Sequence, residues 1–391
     1  MTALAERALA VLRANDCGDY FRPGPVLYPF QWNWDSALIA LGLARVDPAR
    51  GRREVRSLLR GQWADGMVPH IVYHAAAPEY RPGPELWDAA SAAGVPTSGI
   101  TQPPVLATAV HALHEAAPDP VFLEEVVPAV ERWHAWLHAE RVVDDGLIAI
   151  LHPWEAADNS PRFDEALGAL PDDGPAPPRH GASDERPTDV DYRRYLTLVE
   201  RLRRYDYRPP LDQAPFVYAD LTFSAVLAVA EDDLAALWSE LGEDRSRARA
   251  AAARLRAALD GRTDDYETVD SLLPLYAGAA DARRLYDEAL WSPERFGPSA
   301  EAPWAVTTTS KSSAAFEPRR YWRGPVWINV NWFLVRGLER SGLSDEAAAL
   351  RRMTLELVDR SGFAEYYDPR NGEPLGSRSF SWSAALALDL L

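Results

Sequence analysis

Apolar residues recur at three- and four-residue spacing in a dozen separate segments, over 2–15, 36–46, 51–61, 103–117, 119–141, 189–205, 219–242, 245–259, 281–290, 326–341, 344–361 and 380–391. That spacing marks one face of an α-helix. Strand-like alternation is confined to short pieces such as 145–151, so the expected class is all-α. Asp47-Pro48, Asp119-Pro120, Asp189, Ser344-Asp345, Gly61 and Gly261 punctuate the segments as helix starts and stops do. Twelve helices joined alternately by short and long connections fit an (α/α)6 barrel, a six-hairpin toroid, better than a bundle or two domains. No fixed repeat points to a solenoid. One domain spanning 1–391 is therefore expected.

The chain has 391 residues, 47% of them apolar, which suffices for one large core. Its first residues carry Glu6 and two arginines among the apolar ones, unlike a signal peptide. No stretch reaches the roughly 20 apolar residues of a membrane span. A cytoplasmic location is expected, and the lone Cys17 agrees, because one cysteine cannot close an intrachain disulfide. A net charge of −17, spread along the chain, disfavours nucleic acid and anionic membrane as partners. Whether copies assemble into a homo-oligomer is not legible.

The connections 18–35, 62–102, 151–188, 262–280, 291–325 and 362–379 hold much of the Pro, Gly, Trp and Tyr. Loops longer than about 15 residues in a compact domain are usually functional or disordered. Aromatic ones suit a binding face, with insertions at about 62–102 and 160–188 covering a pocket.

Four clusters could carry chemistry. Tyr28-Pro29-Phe30-Gln31-Trp32-Asn33-Trp34-Asp35 alternates large rings with amide and carboxylate groups. Sugar rings stack their C–H faces on indole while their hydroxyls need donors and acceptors. A helix cap by Asn33 or Asp35 is the plainer reading, but two tryptophans exceed what a cap requires. The segment His152–Phe163 places Glu155 and Asp158 in a proline-stiffened loop beside Trp154. Partial burial there would raise a carboxyl pKa and make a general acid, and the residues leave open which of the two it is. In Tyr321–Trp332, Gly324-Pro325 fixes a turn that leaves Tyr321, Trp322 and Trp327 as ligand contacts. Glu365, flanked by Tyr366 between a helix end and a turn, is placed for a general base on water, while Asp368 reads as a helix-end cap. Inverting glycosidases need two such carboxyl groups roughly 6.5–9.5 Å apart.

His111/His114 and His134/His138 fall on amphipathic segments without carboxylates at ligand spacing, so no metal site is expected. Glu231-Asp232-Asp233 reads as an N-cap where a helix restarts. With no Gly-rich phosphate loop either, no cofactor is expected.

YPFQWNWDSA, HPWEAADNSPRFD, YWRGPVWINVNW and FAEYYDPRNGEPLGSRSFSW, in that order, resemble the trehalase and glycoside hydrolase family 63 clan of inverting α-glycosidases. The chain looks most like the compact bacterial mannosylglycerate and glucosylglycerate hydrolases, over nearly its full length. The resemblance implies Asp158 as general acid and Glu365 as general base. It implies a sugar subsite of Tyr28, Gln31, Trp32, Asp35, Gln102, Trp322 and Trp327, with Tyr73 reaching in from a mobile loop, and Trp154 of the second cluster is taken as a further substrate contact. It also implies that Arg186 and Tyr192, in an R-P-x-D-x-x-Y segment, hold a glycerate carboxylate together with Tyr321. A guanidinium pairs bidentately with such a group, although Arg186 could instead pair with its acidic loop at the surface. Ser379 departs from relatives that carry Gln there. The substrate expected is a small anionic sugar, mannosylglycerate or glucosylglycerate. The alternatives are an α,α-trehalase or short α-glucosidase, a sugar isomerase, or a sugar-binding protein without catalysis.

Overall fold

A computed structural model describes residues 2–76, 80–174, 184–262 and 267–391. Six elements lie next to one another in a closed ring. They are the helices Asn33–Ala44, Leu106–Ala116 and Leu221–Glu240, the 3-10 helix Val269–Leu275, and the helices Ile328–Arg340 and Ser381–Leu390. The last of these packs back on the first. Each is backed by an outer helix, in turn Pro48–Leu59, Pro120–Glu140, Ser246–Leu259, Ala282–Leu285, Ser344–Ser361 and Ala3–Asn15. This is the (α/α)6 barrel expected from the sequence.

Position in the ring follows from composition. Ala3–Asn15 buries Leu4, Ala5, Ala8 and Leu12 at helical spacing and turns its charges outward. Every residue of Asn33–Ala44 is buried, as an inner helix with neighbours all round must be. Gly42 lets it approach Ser381–Leu390, since a Cβ there would come within 2.3 Å of the Ala385 carbonyl oxygen.

Three expectations need correction. The helix Asp189–Arg203 forms, but it has no place in the ring; the sixth inner position belongs to Val269–Leu275, inside a presumed connection. Seven residues containing Pro274 are too few to display helical periodicity. Second, Glu231-Asp232-Asp233 lies within the unbroken helix Leu221–Glu240. There Glu231 sits 2.8 Å from His138 Nε2 and 3.3 Å from His134 Nδ1, so those histidines do face a carboxylate, one supplied by a neighbouring helix. Third, Asp368 caps no helix: its carboxylate accepts from the Arg370 backbone and side chain across a turn. Asp47 and Asp119 do cap, accepting from the N–H groups of Arg50 and Phe122, whereas Thr188 caps the helix that begins at Asp189.

On one face of the barrel three two-residue ribbons stiffen the long loops. Gln31–Trp32 pairs with Ile71–Val72, Ala149–Ile150 with Tyr218–Ala219, and Tyr366–Tyr367 with Pro374–Leu375. A second apolar cluster, including Phe30, Trp32, Tyr73, Trp87 and Tyr207, packs around the first of these ribbons. Of the insertions expected to cover a pocket, 77–79 and 175–183 lie outside the described residues. No helix among the described residues is long and apolar enough to cross a membrane.

Candidate active site

The loop face encloses a cavity of about 120 Å³. Tyr28, Trp32, Asp35, Gln102, Trp154, Asp158, Arg186, Tyr192, Tyr321, Trp322, Trp327 and Glu365 line it, twelve of the residues singled out from sequence. Gln31 and Tyr73 do not. Neighbouring residues of a strand point to opposite sides, so with Trp32 in the cavity Gln31 turns away. Its amide donates to Glu54 Oε1 at 2.8 Å and its oxygen lies 2.6 Å from His74 Nε2. Tyr73 stands behind the wall, where its hydroxyl donates to the Pro82 carbonyl at 3.0 Å. Tyr80 is the tyrosine that reaches the cavity, set edge-on against Phe30 and Trp32. Ser379 is not among the lining residues either.

The helix Asn33–Ala44 begins without a side-chain cap of its own. Asn33 donates to the Val68 carbonyl, and Gln102 Oε1 accepts from the Trp34 N–H at 3.2 Å, capping the helix from 68 residues away. Neither Asn33 nor Asp35 is spent on the cap, and Asp35 faces the cavity.

The two acids of the second cluster separate clearly. Glu155 is fully buried and saturated, taking Arg141 through both oxygens at 2.8 and 2.9 Å as well as the N–H groups of Leu151 and Thr101. It holds the loop together. Asp158 lines the cavity, and its carboxylate accepts from no other described residue. Asn159 follows it at φ 68, a left-handed conformation that Asn tolerates better than most residues. Tyr195 Oη accepts from the Asn159 N–H, and Asn159 Nδ2 donates to Asp191, so the turn that presents Asp158 is anchored at two points. Burial pushes the Asp158 carboxyl well above the usual range; Arg186 opposes the shift and Glu365 adds to it. Asp35 is raised by burial and by Glu365 in the same way.

Glu365 is held by donors. Tyr28 Oη donates to Oε1 at 2.5 Å, and Arg186 Nη2 and the Ser377 N–H each donate to Oε2 at 3.0 Å. Arg186 Nη1 donates to the same Tyr28 oxygen at 2.8 Å, and its guanidinium lies over the Tyr321 ring. Arg186 is thus a buried wall residue and makes no surface pair with its acidic loop. Behind this group Trp322, Trp327 and Tyr366 stack in sequence, with centroids 4.0 and 4.7 Å apart. Gly376 leaves room for the carboxylate, since a Cβ there would fall 2.4 Å from Glu365 Oε2.

Several lining residues were not anticipated. Trp34, Phe380 and Trp382 lay inside the aromatic motifs and could have been read from them. His70 carried no such signal. Burial, aided by His152, lowers its pKa to about 3, so it faces the cavity as a neutral imidazole.

A neutral carboxylic acid and a donor-held carboxylate, set among rings that stack on sugars, are the tools of glycosidic cleavage. The protein is a glycoside hydrolase. Residues 28–383 match the mannosylglycerate hydrolase MGH1-like glycoside hydrolase domain, and the chain belongs to that family. It is 40% identical to a mannosylglycerate hydrolase of Thermus thermophilus, covering 98% of this chain and 99% of that one. It is 37% identical to the glucosylglycerate hydrolase of Mycolicibacterium hassiacum, covering 100% and 98%. The crystal structure of a mannosylglycerate hydrolase from a second Thermus thermophilus strain, in complex with Tris and D-glycerate, superposes with a TM-score of 0.90 at 39% identity, over 99% of each chain.

Proposed function

We propose that the chain is one catalytic domain that hydrolyses 2-O-α-mannosylglycerate, 2-O-α-glucosylglycerate or both, releasing hexose and D-glycerate with inversion. The observation that carries this is the buried Arg186 guanidinium beside the carboxylate pair. A neutral disaccharide has no use for a cation there, whereas a glycerate carboxylate does. The relatives that act on these two compounds and the structure holding D-glycerate point the same way.

In this reading Asp158, kept protonated by burial, gives its proton to the glycosidic oxygen as the C1–O bond breaks. A water attacks C1 from the opposite face and loses a proton to Glu365. Tyr28, Trp32, Asp35, Gln102, Trp154, Trp322 and Trp327 surround the hexose, and Arg186, Tyr192 and Tyr321 the glycerate. Gln31 and Tyr73 support the wall from behind.

The test offers both glycosylglycerates and trehalose, assays glycerate and hexose, and follows the first-formed anomer by NMR. Release of glycerate with β-hexose appearing first is expected. Glucose from trehalose without glycerate from either compound would replace this reading with a trehalase.

A further inference from the structure

Glu365 needs a free lone pair to take a proton from water, yet its donors already crowd it. Oε1 takes Tyr28, and Oε2 takes both Arg186 and the Ser377 N–H. Arg186 reaches both oxygens, one directly and one through Tyr28. A carboxylate tied to a buried guanidinium is a poorer proton acceptor than one released from it. The guanidinium, in turn, is not fully used. Its Nε is buried and has no partner among the described residues, and its plane rests on the Tyr321 ring, 4.7 Å from the centroid.

We propose that Arg186 makes the base conditional on an anionic leaving group. In the empty site it is the counter-ion of Glu365. A carboxylate on the acceptor side draws the guanidinium from Oε2, turning its idle Nε edge, buried in the empty site, to pair bidentately, and this frees the lone pair that receives the water proton. A neutral acceptor leaves Arg186 on Glu365. Selectivity is then exerted on turnover as well as on binding, and Arg186 is a specificity-determining residue of the chemical step. This rests on the glycosylglycerate reading.

The test uses an α-glycosyl fluoride, whose leaving group departs without a proton from Asp158 and leaves the acceptor subsite open. Its hydrolysis reports Glu365 and water alone. Adding D-glycerate in trans is expected to raise kcat for the fluoride roughly tenfold in the unmodified protein. In Arg186→Met the fluoride rate without glycerate should match that activated rate and no longer respond to glycerate, while KM for the glycosylglycerate rises. In Arg186→Lys, which keeps the charge but lacks the second edge, glycerate should give little activation. Melting temperatures of both variants confirm folding. Absence of activation, or inhibition, by glycerate in a protein that cleaves a glycosylglycerate overturns this inference alone, as does loss of fluoride hydrolysis in folded Arg186→Met. Failure to cleave either glycosylglycerate overturns the reading beneath it.

Discussion

Asp158 and Glu365 face one cavity, at 8% and 1% exposure, but their surroundings are opposites. Around Asp158 there is burial and no donor from any described residue, which stabilises the neutral acid. Around Glu365 it supplies a phenol, a guanidinium and a backbone N–H. Two like groups are given opposite surroundings, as the acid and base roles proposed for them require. The first environment is made by a turn whose neighbours bind one another, no described residue donating to the Asp158 carboxyl; the second is made by convergence of two distant segments, at Tyr28 and Arg186, and the N–H of Ser377 in the same loop on one carboxylate.

The strongest way to break the comparison removes each group. Asp158→Ala and Glu365→Ala are each expected to lower kcat by about 10²–10⁴, the second with a loss of stability as well because it leaves the buried Arg186 unpaired; steady-state kinetics of the folded variants on a glycosylglycerate decides, and a near-normal rate in either sinks its assigned role. Gly376→Ala attacks only the base side. The new methyl must displace the Glu365 carboxylate, and a misplacement of about 1 Å can reduce the rate about 10²-fold. Its signature is a fall in kcat with Asp158 untouched.

Glu155→Gln tests the claim that the neighbouring acid is structural. Breaking a buried ion pair typically destabilises by about 3–5 kcal/mol, so chemical denaturation should show a large loss while the folded fraction keeps its kcat. The smallest effect concerns pH. A carboxyl raised in the folded state binds more protons than in the unfolded chain, so stability falls as pH rises from the ordinary aspartate range towards the raised value, by at most about 1.4 kcal/mol per pH unit. Asp158→Asn removes that penalty. Its melting temperature should exceed that of the unmodified protein by a margin that widens with rising pH, and a margin independent of pH would argue against a raised Asp158.

The twelve periodic segments all proved helical because outer helices such as Ala3–Asn15 must show one apolar face. The sequence was silent where that logic lapses. Val269–Leu275 is too short for a period to register, and Asp189–Arg203 is amphipathic yet stands outside the ring, so periodicity alone could not say which segments build it. Within the site, motifs located the aromatic wall but could not orient it. Gln31 and Trp32 are adjacent in sequence and opposite in space, and only the pairing of Trp32 with Ile71 says which faces the cavity. Tyr80 and Tyr73 differ by seven positions, and the choice between them depends on the path of the loop. The residues alone left Glu155 and Asp158 open; the family resemblance chose Asp158, and the physical reason, Arg141 on another element claiming Glu155, appears only in the structure.

Closure of the ring carries a consequence for synthesis on the ribosome. The helix Asn33–Ala44, buried on every side, meets Ser381–Leu390 as its neighbour, so one flank of the first waits until residues 381–390 are translated. At about 5–20 residues per second that interval is tens of seconds, during which a wholly apolar surface has no partner. A nascent chain halted before residue 381 should therefore engage chaperones strongly, and extension through residue 391 should end the engagement in one step.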